Sequence, residues 1–356
     1  MKQRNRFLFI LGPHRSGTSL IASALHSLGV SLGNRLIEPN SDNPKGFFED
    51  EEIVRFNDRL LRSMNLSWDC FGFIWEEDFA AQRFKPYHTV AVALVKERFG
   101  DCRASGLKDP RFCVLLPFWK RVISEALDVD VSYVLGIREP DHCVRSQRTR
   151  HINDSDFHLL GRRNIQSLLL WWTYLVKALD AVDPQHLVVV NYASLVEAPE
   201  REIDRMARLL EFDLSQSALE GFCRDHVEPL LNRSQSKDRV DRKQSPLLWS
   251  YSETLYKRLC VLAGNDSIHA AELSALLKDL DVEQLEPLYL SELQYMYGYS
   301  YKKVLSLRHR LIRTIQELGD VQGEYYALRQ AHESVVNTKG WRFLVFIRQC
   351  AKWLFR

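Results

Sequence analysis

The 356 residues are 46% hydrophobic and 26% charged, an ordinary balance for a globular chain with one sizeable α/β core or two domains. A net charge of +2 gives no bulk attraction for nucleic acid, so local basic clusters have to be weighed one by one. The seven cysteines are odd in number and form no C-x-x-C pair, which argues against a disulfide framework or a zinc site and for packed thiols in a reduced compartment.

Near the start, "RFLFILG" is a continuous apolar run of strand length. It is too short for the apolar region of a signal peptide, and no other stretch nears the ~20 apolar residues of a bilayer span, so the expected location is the cytoplasm. The loop "GPHRSGTS" follows, and then "TSLIASALHSLG" places Leu20, Ile21, Ala24, Leu25 and Leu28 at helical spacing with Gly29 as the stop. Strand, glycine loop and helix in that order form an anion cradle. "NSDNPKGFF" reads as a polar loop. "EDEEIVRFNDRLLRSM" reads as an amphipathic helix with Ile53, Phe56, Leu60 and Leu61 inward.

Further on, "LKDPR" makes a turn before a helix, and "DVDVSYVLGIREP" is a strand of strong β character ending in charge. "HCVRSQRTRH" opens the next helix, "LLLWW" (Leu168 to Trp172) belongs to a core helix, and "QHLVVVNYASLVEAPEREIDRMARLLEF" reads as strand, turn and helix. Strands alternating with helices imply βαβ units. The expected fold is an α/β, P-loop-like three-layer core with a mainly parallel central sheet, followed by a helical C-terminal extension.

The glycine loop has the G-x-x-x-x-G spacing of a phosphate-binding loop, with Gly12, Gly17 and Ser19 in place, but Thr18 stands where the lysine belongs. Ser16, Thr18 and Ser19 supply hydroxyl donors, and Arg15 supplies a planar cation suited to oxyanions. In a nucleotide triphosphatase the lysine serves the β- and γ-phosphates, and an acidic strand end helps to hold Mg²⁺. Here the second strong strand ends in Arg138, so both parts are missing and no metal is expected. The C-terminal ends of parallel strands are where ligands bind in open α/β sheets. Ser146 lies eight residues after Arg138, one to two turns into a helix that starts near Pro140, where it can share an anion with Arg138. Arg145, Arg148 and Arg150 either thicken that positive field or form a solvated basic face.

"GPHRSGTS" together with "YVLGIREPDHCVRS" resembles the sulfotransferases that use 3′-phosphoadenosine 5′-phosphosulfate (PAPS). The resemblance implies that Arg15, Ser16, Gly17, Thr18 and Ser19 cradle the 5′-phosphosulfate. It implies that Arg138 and Ser146 hold the 3′-phosphate. It extends over residues 5–240 and includes the strand–helix segment "VVVNYASLVEAPEREIDRMARLLEF". PAPS has no γ-phosphate, which suits a loop without its lysine. The implied reaction is in-line transfer of the sulfuryl group to an acceptor hydroxyl or amine.

The family's usual base, a His two residues after a Lys, is absent: Lys108 is kept, but Pro110 takes the place of the His. "NPKGFFEDEEI" resembles the bacterial carbohydrate-directed members, which makes Glu49 the favoured base and Asp109 the second candidate, with Lys108 and Arg15 stabilising developing charge. Glu49 can also be read as an N-terminal helix carboxylate and nothing more. His14 and His151 fall near the site as bystanders. Arg233, in "LLNRSQSKDR", either closes over the donor or sits in a solvated linker. The implied acceptor is a glycan or a lipid-linked sugar.

The expected domains are a sulfotransferase-like α/β domain over residues 1–245, a helical segment over 246–303, and a coiled coil with a basic tail over 304–356. Val304, Leu307, Leu311, Leu318, Val321, Tyr325, Leu328 and Val335 make an apolar seam, interrupted at Thr314 and His332. The seam suits a homodimer, or one long helix packed on its own domain. "GWRFLVFIRQCAKWLFR" is basic and aromatic, suited to the inner membrane face or to docking on a neighbouring domain. The competing functional readings are a degenerate P-loop nucleotide kinase or NTPase, and a non-catalytic coiled-coil scaffold.

Overall fold

The computed structural model describes residues 5–40, 43–69, 74–153, 160–226, 240–243, 245–279 and 285–336. Four strands, β1 (Asn5–Leu11), β2 (Ala104–Lys108), β3 (Val129–Ile137) and β4 (Leu187–Asn191), form one sheet in the order β2-β1-β3-β4. Every pairing is parallel; Phe9 lies beside Leu107 on one side and Tyr133 on the other. The helices are α1 (Thr18–Ser27), α2 (Glu51–Ser63), α3 (Lys85–Phe99), α4 (Phe112–Ala126), α5 (Pro140–Asn153) and α6 (Asn164–Ala181). They continue with α7 (Tyr192–Glu197), α8 (Pro199–Leu209), α9 (Gln216–His226), α10 (Pro246–Ala263), α11 (Ala270–Lys278) and α12 (Glu286–Val336).

The alternation of side chains along β1 builds a three-layer sandwich. Leu8 and Ile10 join Ile21 and Leu25 of α1 and Ile203 and Met206 of α8 in one core. Phe7 and Phe9 point to the opposite face, where Phe7 meets Phe99 of α3 edge-on, and Phe9 meets Phe112 of α4 and stacks on Tyr133. Both faces of β1 are therefore covered, which is why its sequence is apolar throughout instead of alternating. The expected α/β architecture with its central parallel sheet is what the chain forms. The segment Leu168 to Trp172 lies buried inside α6, as expected of a core helix.

α2 follows its sequence pattern closely. Asp50 caps it, its carboxylate accepting from the backbone N–H groups of Glu52 and Ile53. Ile53, Phe56, Leu60 and Leu61 are buried, and so is Asn57.

The strand order places a topological switch between β1 and β3. From β1 the chain returns to β2 on one side; from β3 it goes on to β4 on the other. The crevice at the carboxyl ends of β1 and β3 is where such sheets bind ligands.

Contacts divide the chain into two compact units, Met1–Tyr289 and Leu290–Arg356. The described part of the second unit is a single helical stretch, the bulk of α12, which runs through residue 304 without a break. Arg233 and the basic tail from Trp341 lie outside the described residues. Among the described residues, no helix is long and apolar enough to cross a membrane.

Candidate active site

The loop after β1 lies at the switch crevice. Gly12 has φ 149°, and a Cβ there would meet the Gly136 carbonyl oxygen at 2.6 Å and the Ser16 hydroxyl at 2.7 Å. Gly17 has φ 91° and packs its bare Cα against the Tyr192 ring. It also caps α1 in a left-handed conformation, with its carbonyl accepting from the N–H groups of Leu20 and Ile21. The N–H groups of the first turn, including those of Thr18 and Ser19, have no intrahelical acceptor and carry the positive end of the helix dipole.

Arg15 adopts φ 69° and Phe48 adopts φ 56°, left-handed conformations that non-glycine residues avoid. Both line the same cleft, and such strain concentrates at functional sites.

The cleft has a volume of about 300 Å³, and its walls carry Arg15, Thr18, Ser19, Glu49, Lys108, Arg138 and Ser146. Arg15 Nε donates to Ser146 Oγ at 2.9 Å, and Arg138 donates from its guanidinium to the Arg15 carbonyl at 3.1 Å. Arg138 also lies flat over the Tyr192 ring, 4.3 Å from its centroid, and its own carbonyl accepts from the Trp171 indole at 3.3 Å. α5 begins at Pro140, and Ser146 meets Arg15 from that helix and lines the cleft together with Arg138. Two guanidiniums and a hydroxyl from three separate segments meet in the cleft, an arrangement whose chemistry can hold an oxyanion.

Lys108 adds a further cation to the cleft. Its ammonium reaches from the tip of β2 to Ser19 Oγ at 3.3 Å and forms a buried ion pair with Glu49 at 2.5 Å. A cation from the neighbouring strand thus stands beside a phosphate-binding loop that has no lysine of its own. Ser19 also accepts from Asn43 Nδ2 at 3.1 Å, which ties the "NPKGFF" loop to the cradle.

Glu49 precedes the cap of α2 and turns inward to Lys108, so it is not a first-turn carboxylate of that helix. Burial raises its pKa, Lys108 opposes the rise, and the nearby Asp109 charge adds to it. His14 also lines the cleft, in ring contact with Trp68 and Tyr174 at 4.9 and 5.4 Å. Burial first, and then Arg111, Arg150, Lys108 and Arg15, hold its pKa far below the ordinary histidine value, so it is neutral.

Two expected residues are placed differently. Ser16 is fully buried, and its hydroxyl donates back to the Pro13 carbonyl at 2.8 Å, closing the loop from inside. Asp109 is fully buried and does not line the cleft. It accepts from Asn57 Nδ2 at 2.9 Å, from the Arg111 backbone N–H at 2.9 Å and from the Arg111 guanidinium at 3.0 Å. Trp119 donates to the other end of Asn57 at 2.8 Å. Asp109 therefore anchors Arg111, which does face the cleft and also pairs with Asp58 at 3.0 Å.

Tyr192, Arg111, Trp68 and Asn43 also shape the cleft and were not singled out from the sequence. Tyr192 sits in the quoted "NYASL" and Arg111 in "LKDPR", but neither spacing says what the side chain faces. Trp68 in "LSWD" carries no local signal.

Among the described residues that line the cleft, Glu49 is the one carboxylate, against the six cations Arg15, Lys45, Lys108, Arg111, Arg138 and Arg150. No group of three or more His, Cys, Asp or Glu side chains suited to a metal ion occurs among the described residues.

No protein-family model matches this chain, and no curated protein matches it. Among solved structures it is similar to the sulfotransferase domain from the Synechococcus PCC 7002 olefin synthase, at 16% identity and a TM-score of 0.38 over 78% of this chain and 95% of that one. It is also similar to the sulfotransferase domain from the curacin biosynthetic pathway, at 15% identity and a TM-score of 0.34 over 61% of this chain and 77% of that one. Neither is described as carbohydrate-directed, and neither is close enough to transfer a residue's role.

Proposed function

We propose that the chain is a PAPS-dependent sulfotransferase that moves a sulfuryl group onto an acceptor hydroxyl or amine. The observation that carries this reading is the gathering of Arg15, Arg138, Ser146 and Lys108 around a glycine cradle in one cleft. A donor with two anionic groups suits a cleft with several cations. The 3′-phosphate would meet Arg138, Ser146 and Arg15. The 5′-phosphosulfate would meet the N–H groups of Thr18 and Ser19, together with Lys108. The Gly12 and Gly17 positions, where a Cβ would fill the loop, suit close approach of an anion to backbone.

In the proposed reaction the acceptor oxygen forms a bond to sulfur while the bond from sulfur to the bridging phosphate oxygen breaks. The acceptor proton goes to Glu49, and 3′,5′-ADP leaves. Lys108 and the loop N–H groups stabilise charge developing on the leaving oxygen. Glu49 is the proposed base because it lies in the cleft beside Lys108 and burial raises its proton affinity. Its ion pair with Lys108 keeps it ionised in the resting site, and contact between Lys108 and the donor would free it. Asp109, enclosed by Asn57 and Arg111, is proposed to position Arg111 instead of acting as a base. Among the described residues the only carboxylate of the walls is the one paired to Lys108, and the proposed reaction routes no step through a metal.

The acceptor is proposed to be a glycan or lipid-linked sugar, on the likeness of "NPKGFFEDEEI" to carbohydrate-directed members. Membrane-surface contact through the tail belongs to the same proposal.

The test is transfer of ³⁵S from labelled PAPS to a panel of acceptors: oligosaccharides, lipid-linked sugars and hydroxyacyl thioesters. Labelled sugar products and release of 3′,5′-ADP are expected. Labelling confined to the thioesters would overturn the acceptor assignment, and absence of any transfer together with failure to bind 3′,5′-ADP would overturn the enzyme reading.

A further inference from the structure

From Leu290 onward, α12 carries an apolar stripe that is exposed among the described residues. Leu290, Tyr297, Leu311, Leu318, Val321, Tyr325 and Leu328 are all exposed, Leu311 at 61% and Leu318 at 63%. They fall on the a and d positions of one continuous heptad register. From Leu290 to Leu328 the stripe is roughly 57 Å long at 1.5 Å per residue.

A single helix of this length is poorly held by propensity alone, because helical stability in proteins comes mainly from burying one face. Gly319 and Gly323 each weaken it by about 1 kcal/mol relative to alanine. Both occupy outer positions (b and f), away from the stripe, and a Cβ at either would meet nothing within 4 Å. The stripe itself stays apolar through that stretch.

Charges beside the stripe select both the occupant and its direction. Arg310 and Glu317 occupy successive g positions. Against a second copy running antiparallel, with Leu307 opposite Leu318, Arg310 of each copy faces Glu317 of the other. This gives two attractive pairs around the midpoint. The same alignment packs Tyr297 on Leu328, Leu311 on Thr314 and Leu293 on His332, so the polar positions Thr314 and His332 meet leucines, while Ser300 falls opposite Tyr325. A parallel pair would instead set Arg310 against Ile315 and Glu317 against Gln322. It would also set Glu324 against Arg329, which Glu333 already engages within its own helix at 3.1 Å.

We infer that the stripe of α12 is an antiparallel coiled-coil interface between two copies of this chain. The interface is independent of the proposed chemistry, because none of its residues lines the cleft.

Light scattering on the full chain after gel filtration, near 10 µM and at physiological salt, tests this. Twice the monomer mass is expected, and a monomer overturns the inference. Leu311→Asp combined with Leu318→Asp should give a monomer that keeps the parent's main melting transition and loses helical dichroism from α12; a dimer that survives this change excludes the stripe as the interface. Arg310→Glu alone and Glu317→Arg alone should each weaken the dimer at least tenfold by sedimentation equilibrium. Both changes together should restore it, because the pairs re-form with reversed sign. Weakening without restoration would contradict the antiparallel order.

Discussion

Arg15 and Ser146 are separated by 131 positions in the sequence and joined by a 2.9 Å hydrogen bond from guanidinium Nε to hydroxyl. That bond links the loop after β1 to the helix after β3, across the crevice that the strand order creates. Arg138 completes the group by holding the Arg15 carbonyl. An anion bound there would touch both halves of the sheet.

Ser146→Ala removes a hydroxyl without enlarging a core. A hydrogen bond to a charged group contributes about 1.5–3 kcal/mol. The variant should therefore bind 3′,5′-ADP about 10- to 100-fold more weakly and 5′-AMP with unchanged affinity. Titration calorimetry with both nucleotides checks this; equal losses for the two would place Ser146 away from the 3′-phosphate.

Gly17→Ala should abolish nucleotide binding. The left-handed conformation costs an alanine about 1–2 kcal/mol, and its methyl group would run into the Tyr192 ring that supports Arg138. Thermal melting should show a modest loss of stability, while calorimetry should show no measurable affinity. Retained binding would mean that the loop does not need its tight approach to Tyr192.

Glu49→Gln should lower kcat by about 10²- to 10⁴-fold, the contribution of a positioned general base. The base works when deprotonated, and burial raises the Glu49 pKa. Activity should therefore fall as pH drops through a value above the ordinary carboxylate range. His14 is held neutral, so no second limb from its titration is expected in the neutral range. A pH profile of kcat/KM on the wild type and on Glu49→Gln reads both points; a variant that keeps its rate and its acid limb would exclude Glu49.

Asn57→Ala should destabilise the fold by about 2–3 kcal/mol, because it strips a buried partner from both Asp109 and Trp119. Equilibrium unfolding in urea measures the loss. Asn57→Asp is expected to be worse, since it sets a second buried carboxylate against Asp109.

Much of the fold was legible because β1, β4 and the second half of β3 are apolar on both faces and each strand is followed by a helix. Leu8 and Phe9 point in opposite directions, yet both are buried, so the run reads as one block. The Gly12–Gly17 spacing and the step from Arg138 to Ser146 marked two parts of the cleft, because each lies on a local loop or a single helix. Other features were not legible, for physical reasons. Whether Ser16 points to the ligand or back to Pro13 depends on loop curvature set by Gly12 and Gly17, not on residue type. Asp109 and Lys108 are adjacent in sequence, but Lys108 ends β2 and turns to the cleft, while Asp109 opens the turn to α4 and points into the core with Asn57. Tyr192 and Trp68 reach the cleft only through tertiary packing, which no short spacing encodes.

The most direct measurement is a comparison of 3′,5′-ADP and 5′-AMP binding to the wild type and to Arg138→Ala. The account predicts that the wild type prefers 3′,5′-ADP by about 100-fold, equivalent to roughly 2.7 kcal/mol, and that Arg138→Ala loses most of that preference. Equal affinity of the wild type for the two nucleotides, or a preference untouched by the substitution, would contradict it.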